Sequence, residues 1–249
     1  MELRIIPVRG IGEVKPGDDL PGAILGALEQ QEEPLVDGDI VVVTQKIVSK
    51  AEGQMVDPTT IEPSAFAQEI ARQARKDARH YEVVLRQSRR IVRMDRGVLI
   101  TETKHGLICA NAGVDESNVG GGHLLTLLPE DPDASAISLR AAFAQRAGAT
   151  VAVIISDTFG RPWRVGQVNF AIGVAGMAPV HDYVGQRDPY GYELHVSVIA
   201  VADELASAAE LVMGKIDRVP VALIRGFDYT PTDGNSRSLI RDAASDLFR

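Results

Sequence analysis

Short runs of β-branched and other aliphatic residues, bounded by polar and glycine-containing stretches, are the clearest pattern in this chain. Such runs are typical of strands buried in a sheet. They predict strands at Leu3–Val8, Ile40–Thr44, Val151–Ile155 and Val219–Ile224, and an alternating strand at Leu194–Val201. Two more runs, Val98–Thr103 and Leu107–Asn111, flank the turn Lys104-His105-Gly106 and predict a hairpin.

Helical spacing of apolar residues, together with capping residues, predicts the helices. The first helix covers Leu20–Gln30, with Asp18 or Asp19 as its cap, and one or two helices cover Pro63–Arg90. A further helix runs from Asp131 to about Ala147, and another covers Asp203–Met213, with Asp203 as its cap and Gly214 as its stop. A terminal helix begins at Ser238. We expect His80 on a polar helix face. The basic cluster Arg86, Arg89, Arg90 and Arg93 predicts a solvated face or a subunit contact.

Composition narrows the class of protein. The chain has 249 residues, enough for one large domain or two small ones, and its 45% hydrophobic and 24% charged residues are ordinary for a globular protein. Its net charge of -8 argues against non-specific nucleic-acid binding and against an anionic membrane surface. The single cysteine, Cys109, excludes an internal disulfide, and the N-terminus lacks a signal-peptide core. We therefore expect a cytoplasmic protein.

The stretch Val151–Gln167 combines a buried strand with reactive side chains. We expect the strand to break at Ser156-Asp157-Thr158 and to enter a loop containing Gly160, Arg161, Pro162, Trp163 and Arg164. A carboxylate and a hydroxyl at the rim of a sheet suit Mg²⁺ or Mn²⁺, and the arginines suit an anionic group. The alternative is a strand followed by a loop salt bridge.

A second polar loop follows the predicted strand Leu107–Asn111 and contains Asp115, Ser117 and Asn118. Asp115 and Asp157 could together hold a divalent ion that bridges phosphate oxygens. Lys46, Lys50, Arg161 and Arg164 could neutralise those phosphates, although the lysines could equally be solvated surface residues. The sequence has no CxxC, HExxH or Ser/His/Asp pattern, so the residue types favour metal-assisted phosphoryl transfer. They do not identify the nucleotide or the acceptor.

Five longer motifs occur in a fixed order: GDIVVVTQKIVSKAEG (Gly38–Gly53), CANAGVDESNV (Cys109–Val119), SDTFGRPWRVGQ (Ser156–Gln167), RDPYGYEL (Arg187–Leu194) and ADELASAAELVMGK (Ala202–Lys215). Together they closely resemble the coenzyme F420-0:γ-glutamyl ligase family, from Pro7 to about Gly226. The resemblance is to the stand-alone form, a single domain over residues 1–249 or two intimately packed subdomains, without a C-terminal nitroreductase-like domain.

The resemblance implies an enzyme that adds L-glutamate to coenzyme F420-0 and then further γ-linked glutamates. It would use GTP, pass through an acyl phosphate, and require Mg²⁺ or Mn²⁺, with K⁺ as a stimulant. The implied fold is an unusual α+β arrangement, with mixed sheets and flanking helices, that forms an intertwined homodimer. The alternatives are a related amide ligase with another carboxylate acceptor, or a non-catalytic nucleotide-binding regulator that kept the fold.

The resemblance also implies roles for individual residues. Asp115 and Asp157 match the catalytic, metal-binding aspartates, and Thr158 matches a neighbouring metal ligand. The nucleotide-contacting positions are Ile11, Gly12, Glu13, Val14, Gln45, Lys46, Lys50, Asn118, Met213, Gly214 and Lys215, with the loop through Val219. Lys215 is a departure, because some archaeal members have a glutamate there that helps to hold a second metal ion.

Overall fold

The computed structural model of the chain describes residues 2–115 and 124–246 and combines helices with several separate sheets. Its α-helices are α1 (Leu20–Gln30), α2 (Gln45–Ala51), α3 (Ala65–Ala74), α4 (Ala78–Gln87), α5 (Pro132–Ala147) and α6 (Val201–Met213). Its strands are β1 (Arg4–Val8), β2 (Ile40–Thr44), β3 (Met55–Val56), β4 (Ser88–Asp95), β5 (Val98–Thr103), β6 (Ile108–Ala110), β7 (Leu125–Thr126), β8 (Ala152–Arg161), β9 (Arg164–Ala175), β10 (His181–Asp182), β11 (Val198–Ile199) and β12 (Val221–Arg225). The implied α+β class is therefore confirmed.

The main sheet has five strands in the order β1-β12-β2-β8-β9. The β2–β8 pair is parallel and the other three pairs are antiparallel, so the sheet is mixed. All four residues from Ile40 to Val43 are completely buried. This explains why β2 reads as an unbroken apolar run rather than as an alternating one.

The two faces of this sheet pack against different helices. Val41 and Val43 face a core that contains α1 and α5, in which Phe143 is completely buried. Ile40 and Val42 face the opposite way, against α6. The alternation follows from the two-residue period of a strand, and it covers both faces of the sheet with helices.

A third core joins α3 and α4 to β5 of the small sheet β4-β5-β6. Tyr81 is almost fully buried there and donates a hydrogen bond to the carbonyl oxygen of Gly97 at 2.7 Å. His80 is also buried, so its predicted place on a polar face is wrong. Arg89, Arg90 and Arg93 are exposed as expected, but they lie on β4, a strand that the sequence did not reveal.

Two aspartate side chains accept hydrogen bonds from backbone amides on the free edge of β9. The amide of Ala171 donates to Asp203 at 2.9 Å, and the amide of Val174 donates to Asp133 at 2.8 Å. Asp203 therefore bonds a strand and not the start of its own helix, which begins earlier, at Val201. The predicted cap at Asp203 is wrong for this reason, whereas the cap of α1 at Asp19 is confirmed.

Two predicted elements near the end of the chain are also wrong. Within Leu194–Val201 only β11 is a strand, and it pairs with β10 at the base of a two-stranded arm, residues 181–199. In place of a terminal helix from Ser238, the chain forms two short 3-10 turns, Ser236–Leu239 and Ala243–Ser245. No helix in the described ranges has the length and apolar character needed to cross a membrane.

Candidate functional site

At one edge of the main sheet, strands β1 and β2 end, β12 begins, and β8 passes through. Val8 of β1 lies opposite Val221, Val221 lies opposite Val43, and Val43 lies opposite Ile155. The carboxyl ends of β1 and β2 and the amino end of β12 therefore lie side by side, next to the point in β8 where Ile155 lies. Ligands commonly bind at such edges, beyond the carboxyl ends of parallel strands.

The segments that extend from this edge contain most of the predicted site. They are Ile11–Val14 after β1, Gln45–Lys50 in α2, Asp157-Thr158 in β8, and Met213–Lys215 before β12. Asp115 is brought in separately, by backbone hydrogen bonds that pair it with Thr126. The fold thus unites residues that are up to two hundred positions apart in sequence.

The strand at Asp157 does not break as predicted. It continues through Thr158 to Arg161 and pairs with β9, so that Asp157 lies opposite Phe170. The register shifts between Ile155 and Ser156, directly before Asp157. An irregularity of this kind changes the direction of the following side chains, and such features are common beside active sites.

Burial and charge both act on the Asp157 carboxyl. Removal from water is the main cause that raises its pKa to about 6, and the charge of Asp115 raises the pKa further. A hydrogen bond from the Thr158 amide, at 2.8 Å, and the charges of Lys215 and Lys46 act in the opposite direction. The charges of Asp115, Lys46 and Lys215 therefore all act on Asp157, and the two carboxylates and two ammonium groups form one cluster.

Each lysine of this cluster contacts a proposed metal ligand. Lys46 Nζ lies 2.5 Å from Asp115 Oδ2. Lys215 Nζ donates to Thr158 Oγ1 at 2.5 Å, and this hydroxyl in turn donates to Asn169 Oδ1 at 2.7 Å. The Thr158 hydroxyl is therefore held in one orientation, with a lone pair left over.

Helix α2 connects this cluster to the loop after β1. Lys46 and Lys50 are one turn apart and share a helix face. Lys50 is 5% exposed, and its Nζ lies 2.5 Å from Glu13 Oε1. Gln45 is buried and accepts a hydrogen bond from the Ser49 hydroxyl at 2.9 Å.

The remaining predicted nucleotide-contacting positions divide into two groups. The side chains of Ile11, Val14 and Met213 belong to the hydrophobic cores, so only their backbone groups could contact a ligand. Gly12 and Gly214 are exposed. Asn118 lies outside the described residues.

The two arginines of the predicted phosphate site lie further away. Arg161 is four residues beyond Asp157 along an extended strand, about 13 Å at the usual rise. It donates instead to the carbonyl oxygen of Val165 at 2.8 Å. Arg164 follows the hairpin turn and is exposed. The structure therefore places lysines, and not these arginines, beside the two aspartates.

Two residues near the cluster were missed from the sequence. Asn169, which is almost fully buried, orients Thr158, and Cys109 is buried close enough for the Asp157 charge to act on it. Burial is the main cause that raises the pKa of the Cys109 thiol to about 12. A predicted hairpin that pairs Thr158 with Asn169 would have identified Asn169 from the sequence. The sequence contains no comparable signal for Cys109.

The donor set of the cluster fits a hard divalent cation. Asp115, Asp157 and Thr158 offer oxygen atoms, the ligands that Mg²⁺ and Mn²⁺ prefer, and the like charge of the two carboxylates favours a cation between them. Within residues 2–115 and 124–246, no three His, Cys, Asp or Glu side chains are grouped closely enough to hold a metal ion. A metal bound here would therefore also need oxygen atoms from a phosphate or from water.

Comparisons with known proteins place the chain in one family. Residues 10–226 match the family model for F420-0:γ-glutamyl ligase. The chain is 46% identical over 252 residues to the coenzyme F420:L-glutamate ligase of Methanothermobacter thermautotrophicus, with 100% of each chain covered. It is 44% identical to the enzyme of the same name from Methanopyrus kandleri, covering 99% of this chain and 98% of the relative. The corresponding Methanocaldococcus jannaschii enzyme is 44% identical, covering 87% and 86%.

Proposed function

The chain belongs to the F420-0:γ-glutamyl ligase family and is a ligase that forms carbon–nitrogen bonds, and from this premise we propose that it uses GTP to join L-glutamate to coenzyme F420-0. Further γ-linked glutamates are added to the first product. The observation that most supports the proposal is the cluster of Asp115 and Asp157 with Lys46 and Lys215 at the sheet edge.

GTP binds along α2 and the loops beside it. Lys46, Lys50 and Lys215 supply positive charge for the phosphates, since an ammonium group is an effective point charge for phosphate oxygens. In the structure Lys46 contacts Asp115, Lys50 contacts Glu13, and Lys215 contacts Thr158 and lies 3.8 Å from Glu210. The exposed backbone at Gly12 and Gly214 allows a close approach of the nucleotide.

Asp115, Asp157 and Thr158 hold Mg²⁺ or Mn²⁺. When bound, the ion neutralises negative charge on the phosphate oxygens during phosphoryl transfer. The Asn169 amide oxygen accepts a hydrogen bond from the Thr158 hydroxyl and so orients that hydroxyl for binding the metal ion. K⁺ stimulates the reaction as a further cation.

The reaction has two steps. A carboxylate oxygen of the acceptor attacks the terminal phosphorus of GTP; the bond to the bridging oxygen breaks, and GDP leaves. The amine of L-glutamate then attacks the carbonyl carbon of the acyl phosphate, inorganic phosphate leaves, and the amine loses a proton as the amide forms. The lysines stabilise negative charge in the first step and hold the departing phosphate in the second.

The enzyme acts as a homodimer. The arm of residues 181–199 and the tip of the β8–β9 hairpin expose large apolar side chains, with Tyr190 96% and Val165 99% exposed. Exposed apolar groups of this size are typical of surfaces that bind another protein. A second copy of the chain is the partner that the family resemblance implies.

Coupled nucleotide turnover tests the proposed function. The purified chain is incubated with GTP and Mn²⁺, with F420-0 and L-glutamate added separately and together, and GDP is quantified. We expect sustained GDP release only when both substrates are present. Absence of turnover with both substrates would refute the proposed GTP-dependent ligation and favour a nucleotide-binding regulator.

A further inference from the structure

A cavity of about 580 Å³ is lined by residues other than those of the site described above. Three segments form its walls: the turn between β5 and β6 with the adjoining part of that sheet, the loop that enters α5, and the 3-10 turns near the end of the described chain. None of the residues proposed to bind GTP or metal lines it. The cavity is therefore a separate feature of the molecule.

Most of the acidic groups in these walls already have partners. Glu102 pairs with Arg90 at 2.7 Å. Asp131 accepts from the Ala134 amide at 3.0 Å, and Asp242 accepts from the Ala244 amide at 2.7 Å.

Asp133 has partners on two segments. It accepts from the amides of Val174 and Ser236, at 2.8 and 2.9 Å. The Ser236 hydroxyl also donates to the Ile172 carbonyl oxygen at 2.8 Å. This bond connects the wall formed by the 3-10 turns, the C-terminal wall, to β9. These aspartates therefore have structural roles, and Glu130 is the carboxylate of these walls whose side chain has no hydrogen bond or ion pair with the described residues.

The basic groups in the walls are arranged differently. Lys104 lies in the turn between β5 and β6, whereas Arg237 and Arg241 lie in the C-terminal wall. Within the described part of the chain, the side chains of these three residues form neither an ion pair nor a hydrogen bond. Two separate walls thus each present a basic side chain that is available to a ligand carboxylate.

Apolar side chains lie between these charges. Leu107 and Ile240 line the cavity, and Ile240 also packs close to the turn at Gly106. A ligand that fits has two carboxylates, a short hydrocarbon spacer for Leu107 and Ile240, and an ammonium group for Glu130. Those are the groups of an acidic α-amino acid.

We propose that this cavity binds a glutamyl unit, with its two carboxylates on Lys104 and on Arg237 and Arg241, and its amine on Glu130. The existence of the site rests on the cavity, whereas the choice of glutamate over other acidic amino acids rests on the proposed function. The unit is either free L-glutamate, which has all of these groups, or the terminal residue of a γ-linked product, which keeps the two carboxylates and presents an amide N–H to Glu130 in place of the amine.

Calorimetric titration of the full chain, without GTP and F420-0, tests the site independently of ligase activity. The probes are L-glutamate, γ-L-glutamyl-L-glutamate, glutarate and inorganic phosphate. We expect L-glutamate or the dipeptide to bind, and Lys104→Gln and Arg241→Gln each to weaken that binding about tenfold or more. Tighter binding of L-glutamate identifies the free amino acid, and tighter binding of the dipeptide identifies the product tail; either result supports the site.

Two further variants make the test specific. Glu130→Gln should weaken binding of L-glutamate but not of glutarate, which lacks the amine. Arg93→Gln removes one positive charge, as Lys104→Gln and Arg241→Gln do, but from an exposed position on β4 outside the cavity. It should leave the affinity unchanged. The proposal is overturned if neither glutamyl probe binds, if Lys104→Gln and Arg241→Gln bind as the wild type does, or if phosphate binds as tightly as the tighter-binding of the two glutamyl probes.

Discussion

Asp157 illustrates how the environment changes a single residue. Its carboxyl is buried beside a second carboxylate, which favours the neutral form, yet two lysines and the Thr158 amide favour the charged form. The site is therefore poised to accept additional positive charge. In the proposed reaction this charge comes from a divalent cation, whose binding would favour the ionised carboxylate.

Lys50 provides a test at the residue scale. Lys50→Ala removes a nearly buried ammonium group proposed to bind phosphate, and we expect the KM for GTP to rise about 10- to 100-fold, the loss typical of one charged hydrogen bond. Steady-state kinetics with varied GTP measure this. Lys15→Ala, an exposed neighbour, is the matched control. An unchanged KM in Lys50→Ala would argue that Lys50 only pairs with Glu13.

Elements with strong local signals were predictable from the sequence, and those that depend on distant partners were not. The apolar runs of β2 and β12 and the Asp19 cap of α1 are local features, and the structure confirms them. Helix α2 was missed because it starts directly after β2 and its capping residue Thr44 makes no side-chain cap. The continuation of β8 past Asp157 depends on pairing with β9, which local sequence does not reveal.

The candidate site divides in the same way. The aspartates and lysines could be selected by residue type and by resemblance. Their convergence depends on strand order, because β12 lies between β1 and β2 and brings the segment containing Lys215 to the edge where Asp157 lies. The arginines of the hairpin, although close to Asp157 in sequence, are carried away along an extended strand.

The contact between β9 and α5 can be tested at the scale of elements. An alanine Cβ at Gly173 would overlap the backbone carbonyl of Pro132, so β9 and the start of α5 would have to separate. We expect Gly173→Ala to lower the free energy of unfolding by about 1–3 kcal/mol. Chemical denaturation measures the change.

Gly26→Ala is the control for that substitution. Gly26 lies within α1 with open space around it, so alanine should raise the free energy of unfolding by up to about 1 kcal/mol through helix propensity. Equal stability of the Gly173→Ala variant and the wild type would show that β9 and α5 are not packed as described.

At the scale of the whole molecule, a chain with a net charge of -8 brings three lysines together at one sheet edge, beside Glu13, Asp115 and Asp157. Lys46, Lys50 and Lys215 come from two separate segments and meet there because of the mixed sheet. Local arrangement, and not net charge, therefore decides whether an anionic substrate can bind. The arm and the hairpin tip are the other large-scale features, and each exposes large apolar side chains to solvent.

Self-association through that surface can be tested by placing a charge on it. Val165→Asp and Val196→Asp alter side chains that are 99% and 89% exposed, so neither should unfold the chain. We expect the wild type to have the mass of a dimer in light scattering after size exclusion, and both variants to shift towards the monomer. Ile137→Asp, exposed on α5 at the other face of the main sheet, should remain dimeric. A monomeric wild type would refute the proposed homodimer.

The central claim is that the cluster around Asp157 performs GTP-driven ligation, and mass spectrometry of the deazaflavin product tests it most directly. Wild type, Asp157→Asn and the exposed control Asp233→Asn are incubated with F420-0, GTP, L-glutamate and Mn²⁺, after circular dichroism has verified that all three are folded. We predict products heavier by one or more glutamyl residues from the wild type and the control, and turnover lowered about 100-fold or more in Asp157→Asn. Near-normal product formation by folded Asp157→Asn would contradict the account.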